Sequence, residues 1–120
     1  MSDMYMQNIL DHFKNPENYG ELKDANVVQV EHNPLCGDKI TVYMLFDGDL
    51  LKDVHFIGNG CAISQAAMSM LTEEIKGKTK AEIMALDKNF VENLLGIQLS
   101  PARLKCALLS LQAVHNGINS

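Results

Sequence analysis

The stretch that decides the fold is Lys39–Cys61, "KITVYMLFDGDLLKDVHFIGNGC". In its first part Ile40, Val42, Met44 and Phe46 alternate with Thr41, Tyr43 and Leu45, the period of a strand with one buried face. "DGD" at Asp47–Asp49 is a hairpin turn signal, and "LLKDVHFIG" reads as the returning strand. After Gly58 the period changes. From Ala62 to Lys76 the apolar residues Ile63, Ala66, Ala67, Met70, Leu71 and Ile75 follow one helical face, and Gly77 closes it.

Upstream, "VVQVEH" is a further short strand, which makes a three-stranded antiparallel meander. Asn33-Pro34 and Gly37-Asp38 mark the turn between the first and second strands. Before them lies a helix capped by Ser2, with Met6, Ile9, Leu10 and Phe13 on one face. Asn15-Pro16 ends it, and "NPENYGELKDAN" follows as an extended loop. Downstream, Thr79 and Glu82 form a capping-box pattern for a short helix, and Asp87 caps another that ends near Gly96. Ser100-Pro101 starts the last helix, with Ser at the cap and Pro at the first position. That helix is apolar around most of its circumference, with Leu104, Leu108 and Leu111 on one side and Ala102, Leu109 and Ala113 on another, so a central position is expected. Strands followed by helices predict an α+β fold, a three-stranded antiparallel sheet packed against several helices. The absence of repeats and linkers makes residues 1–120 a single expected domain.

Composition narrows the function classes. The net charge of −5 argues against nonspecific binding to nucleic acid or anionic membranes. No apolar run approaches a membrane span, and "MSDMYMQN" lacks the basic and apolar parts of a signal peptide, so a cytoplasmic location is expected. Three cysteines, Cys36, Cys61 and Cys106, are an odd set for a disulfide framework; free thiols, metal ligands or nucleophiles remain.

Taken singly, each cysteine reads as a small buried hydrophobe, and the local settings weaken that reading. Cys36 precedes the second strand in a glycine turn. Cys61 follows "GNG" where the third strand runs into a helix, and unpaired N–H groups at a helix start favour thiolate. Because the second strand starts where the antiparallel third strand ends, Cys36 and Cys61 should be neighbours. Asp38, two residues from Cys36, can reach the same point; its ordinary reading is a turn-former. Cys106 joins them only if the last helix crosses that end of the sheet. Lys105 beside it is either a solvated helix charge or an ammonium that favours thiolate. Three thiolates and a carboxylate suit tetrahedral zinc or an iron–sulfur cluster. A carboxylate is a harder, poorer match for iron–sulfide than a fourth thiolate, which makes a site easier to load and empty.

The histidines fit supporting roles: His32 ends the first strand or lends a ligand, His55 is a partly exposed strand residue, and His12 and His115 are surface or capping groups. Met68 and Met70 fit helix packing better than metal binding.

Across nearly the whole chain the sequence resembles the U-type iron–sulfur assembly scaffolds, the family of IscU, SufU and the NifU N-terminal domain. The resemblance runs through "YMQNILDHFKNPENYGEL", "NPLCGD", "GNGCAISQAAMSMLTEEIKGKT" and "SPARLKCALLSL", with the three cysteine motifs in order. It implies a SufE/NifU-like fold and a metal or cluster site of Cys36, Asp38, Cys61 and Cys106. It also implies that a cysteine desulfurase delivers persulfide sulfur to these thiols, that iron and sulfur form a transient [2Fe–2S] cluster, and that apo iron–sulfur proteins accept it. By motif the chain is a hybrid. "GCAIS" and Lys105, where IscU has His, are similar to SufU, yet the interval of 45 positions from Cys61 to Cys106 is too short for the usual SufU insertion. The chaperone-binding segment of IscU is represented only by "LSPAR", Leu99–Arg103, a weak basis for a dedicated chaperone partner. The competing reading is a zinc-dependent sulfurtransferase holding zinc on the same four residues; a third is an interaction module with a structural zinc. Monomer and homodimer both remain open.

Overall fold

The computed structural model describes residues 3–34 and 37–120; Met1, Ser2, Leu35 and Cys36 lie outside it, and with them the expected cap at Ser2. Three strands, β1 (Val27–Asn33), β2 (Asp38–Asp47) and β3 (Leu50–Asn59), form an antiparallel sheet in the order β1-β2-β3. Five helices complete the fold: α1 (Asp3–Lys14), α2 (Ala62–Ile75), α3 (Lys80–Met84), α4 (Lys88–Leu95) and α5 (Pro101–Asn119). The α+β architecture is the expected one.

The alternation in β2 sends Ile40, Val42, Met44 and Phe46 into the core, while Thr41, Tyr43 and Leu45 lie half-buried on the other face. In β3 the buried residues are Leu51, Val54 and Phe56, so strict alternation fails between the first two. The cause is a register shift opposite Leu45 and Phe46, where an extra residue of β3 re-aims Leu51 inward.

Helices cover the apolar face. α5 packs on β1, β2 and α2, and α2 also meets β3, which gives α5 the central place expected from its composition. Leu109, Leu111 and Ala113 of α5 are buried with Met68, Met70 and Leu71 of α2. The caps form as their sequences predict. Thr79 and Glu82 make a reciprocal capping box, Asp87 Oδ1 accepts from the Phe90 N–H, and Ser100 Oγ accepts from the Arg103 N–H. Gly96 ends α4 in the left-handed conformation, φ 72°.

Two expectations need correction. The apolar face of α1 buries only Ile9, and Met6, Leu10 and Phe13 remain exposed, because α1 packs mainly on α2 and one helix covers only a narrow stripe. His12 and His115 are half-buried rather than surface groups, and His115 takes the capping role that was its other expectation, on a carbonyl in the last turn of α3. His12 Nδ1 lies 2.6 Å from Ser69 Oγ and Nε2 lies 3.4 Å from Glu73, tying α1 to α2; His115 Nε2 lies 2.9 Å from the Ile83 carbonyl, tying α5 to α3.

The loop after α1 does more than connect. The Phe56 N–H donates to the Asn18 carbonyl at 3.0 Å, and the Gly20 N–H donates to the Phe56 carbonyl at 2.8 Å. Tyr19 then sits edge-on to Phe56, with ring centroids 5.1 Å apart. The loop thereby covers the outer edge of β3. Among the described residues, no helix is long and apolar enough to cross a membrane.

Candidate metal centre

The site lies where three elements end or begin together. The β1–β2 ladder closes with the pair Asn33–Asp38, and the β2–β3 ladder reaches Lys39–Asn59 at the same end of the sheet. After Asn59 the chain needs only Gly60 to reach Cys61, the cap of α2, so Asp38 and Cys61 meet.

Asp38 is the hinge of this arrangement. Its side chain is 1% exposed and turns away from its own turn toward Cys61. Oδ1 accepts the Cys61 N–H at 2.9 Å, and Oδ2 lies 3.6 Å from Cys61 Sγ. Gly60 makes that approach possible. A Cβ at Gly60 would overlap the Asp38 carboxyl group, and the local φ of 156° is one that L side chains rarely adopt.

Cys61 is half-buried and caps α2 with its sulfur, which accepts the Ser64 N–H at 3.5 Å. Its thiol therefore faces the positive end of α2, as its place in the sequence suggested. Cys106 comes from the second turn of α5 and is 4% exposed. Asn33 Nδ2 donates to its sulfur at 3.9 Å. Donor atoms of Asp38, Cys61 and Cys106 all lie within 4.8 Å of one another. α5 does cross the end of the sheet that carries Asp38 and Cys61, the condition that spacing alone left open.

Cys36 lies outside the described residues. Lys105 is exposed on α5 and walls a cleft of about 360 Å³ together with His32 and Asn33. Among the described residues, His32 is not in the donor cluster. His55 is a partly exposed strand residue, with Nδ1 3.3 Å from the Glu21 carbonyl.

The donor set fits a metal. With M–S near 2.3 Å and M–O near 2.1 Å, a tetrahedral edge between sulfur and oxygen is about 3.6 Å. The separation of 3.6 Å between Cys61 Sγ and Asp38 Oδ2 matches that edge. Two thiols and a carboxylate, with Asp38 and Cys106 buried and Cys61 half-buried, bring soft and hard donors together.

Two residues of the site were not singled out by sequence reasoning. Asn33 was a turn signal, yet its amide reaches Cys106. Gly60 was part of a helix boundary, yet its missing side chain makes room for Asp38. The signal for Asn33 was a polar residue on the inward register of β1, next to a cysteine turn. For Gly60 only the three-dimensional approach reveals the need.

Comparison with known proteins agrees with this geometry. Residues 4–120 match the family described as the NifU-like N terminal domain. The chain is 40% identical to the zinc-dependent sulfurtransferase SufU of Bacillus subtilis over 135 residues, covering 98% of this chain and 91% of that protein. That alignment is longer than the 120 residues of this chain, so the Bacillus protein carries residues that are missing here. Iron-sulfur cluster assembly scaffold protein IscU 1 of Archaeoglobus fulgidus is 36% identical over 115 residues, covering 96% of this chain and 74% of that protein. Among solved structures, a putative iron-sulfur cluster assembly scaffold protein for the SUF system from Fervidobacterium islandicum superposes with a TM-score of 0.81 at 35% identity. That match covers 98% of this chain and 99% of the other.

Proposed function

We propose, for a chain that belongs to the NifU-like N-terminal domain family, that it is an iron–sulfur cluster assembly scaffold. It would receive persulfide sulfur from a cysteine desulfurase, build a labile [2Fe–2S] cluster with iron, and pass that cluster to apo-proteins. The observation that carries this reading is the convergence of Asp38, Cys61 and Cys106 at one end of the sheet.

Each residue has a role that follows from its setting. Cys61 and Cys106 are the described thiolate ligands, and Cys36, two positions from Asp38, completes the set of four. Any of the three thiolates can accept sulfur by attacking the outer sulfur of the desulfurase persulfide. The S–S bond of the donor breaks, a new one forms on the scaffold, and the desulfurase thiolate leaves, with no net oxidation. Conversion of two sulfane sulfurs to sulfide takes four electrons. Two come from ferrous iron becoming ferric and two from an external one-electron donor. Asp38 is the hard ligand that keeps the cargo exchangeable. Lys105, exposed beside Cys106, would favour thiolate at the site mouth.

The alternative is a zinc-dependent sulfurtransferase, and the specific observation favouring it is the likeness to the Bacillus SufU protein. Zinc would sit on the same four residues as a Lewis acid that holds thiolates at neutral pH. One cysteine, exchanged off the metal, would then take the sulfur. Partners are the same in both readings, a desulfurase and downstream acceptors.

Oxygen-free purification followed by iron, zinc and acid-labile sulfide analysis separates the readings. The scaffold account expects coloured protein with iron and sulfide in equal amounts. Colourless protein with one tight zinc and strong stimulation of desulfurase turnover would give the site to the sulfurtransferase.

A further inference from the structure

We infer that Asn33 is a positioning residue for Cys106, holding its sulfur by an amide N–H and screening it from the neighbouring cleft. The inference rests on the reading of Asp38, Cys61 and Cys106 as ligands.

Asn33 is a polar residue that the fold buries, at 8% exposure, and fixes from two sides. It pairs with Asp38 as the last rung of the β1–β2 ladder, and its carbonyl accepts the Gly37 N–H at 2.8 Å. With its backbone held, the side chain reaches across to α5, where Nδ2 lies 3.9 Å from Cys106 Sγ. Partners on one rung therefore serve different cysteines: Asp38 touches Cys61, and Asn33 touches Cys106.

The same side chain has a second face. Asn33 walls the cleft of about 360 Å³ with His32, Pro34, Lys105 and Leu108, whereas Cys106 is not part of that wall. Asn33 thus borders both the cleft and a thiol that is only 4% exposed.

An N–H donor to a metal-bound thiolate withdraws charge from the sulfur and fixes its direction, and loss of such an outer partner typically costs about tenfold to a hundredfold in metal affinity. A neutral amide donates at every pH and adds no charge of its own. Lys105, exposed on the same cleft, would instead bring a charge.

The test uses the full chain, wild type and two variants, with cobalt(II) as the probe. Asn33→Leu keeps the branched heavy-atom skeleton of the side chain and removes the donor. It should move the sulfur-to-cobalt charge-transfer band to lower energy and weaken cobalt binding by roughly tenfold. Asn33→Ala opens the wall, so iodoacetamide labelling of Cys106 in the metal-free chain, mapped by peptide, should rise relative to Cys61. An unchanged band in the leucine variant overturns the inference, as does an unchanged labelling ratio in the alanine variant. Equal rises at both cysteines would mean general loosening and would also overturn it. If wild type gives no thiolate-to-cobalt band, the ligand reading itself fails, while the labelling ratio still judges the screen.

Discussion

Gly60 is where a missing side chain matters most. Asp38 occupies the space that a Cβ would need, and the carboxylate holds the Cys61 N–H from that position. Gly60→Ala would push Asp38 off Cys61 and force a side chain onto a backbone that disfavours one. We expect zinc affinity, measured by competition with a chromophoric chelator, to fall by roughly tenfold to a hundredfold. The metal-free variant should still unfold cooperatively. Unchanged affinity would mean that Asp38 is not a ligand. The residue scale is also where the sequence was least readable. Cys61 at a helix start and Asp38 beside a cysteine turn could be singled out, because each is an unusual residue for its local setting. The Asn33 amide and the Gly60 vacancy depend on approaches between β1 and α5 and between β2 and the α2 cap, which no local pattern encodes.

At the scale of elements, α5 delivers Cys106, and its start is set by Ser100. Ser100→Ala removes the acceptor for the Arg103 N–H and should cost about 1 kcal/mol in urea unfolding. A loss too small to measure would show that Pro101 alone fixes the start of the helix.

A different contact ties β3 to α2. Burial pushes the Asp53 carboxyl up, but the Lys76 ammonium at 3.1 Å, the Val54 N–H and the His55 charge together hold it below its ordinary value of 3.8. The folded chain then binds this proton less readily than the unfolded chain, so the contribution is full above 3.8 and is lost as pH falls through the lowered value. Melting temperatures of wild type and Asp53→Asn should differ by a constant amount from neutral pH to about 4 and converge below it. A gap that persists into strong acid would contradict the assignment. Because Asp53 is about a third exposed, added salt should also narrow the gap.

These elements show why most of the architecture could be read in advance. The meander rests on period-2 alternation and a "DGD" turn, and the helices rest on caps whose chemistry is local. The bulge that re-aims Leu51 and the loop that covers β3 could not be read, because both are settled by pairing with distant strands.

For the whole molecule, the arrangement places a buried carboxylate and two thiols at a sheet end that opens beside a cleft, while α2 and α5 anchor the cysteines in the core. Under the proposed function such a frame, with Cys36, would hold a cluster without a fourth soft ligand, and the weak oxygen donor would favour release over storage. The central claim is that the cluster is cargo. The most direct measurement is anaerobic assembly with a cysteine desulfurase, cysteine, ferrous iron and a reductant, followed by mixing with an apo-ferredoxin. The account predicts a visible absorption band that forms on this chain and then moves to the ferredoxin as its spectrum appears. No cluster on the chain, or one that forms and never transfers, would contradict it.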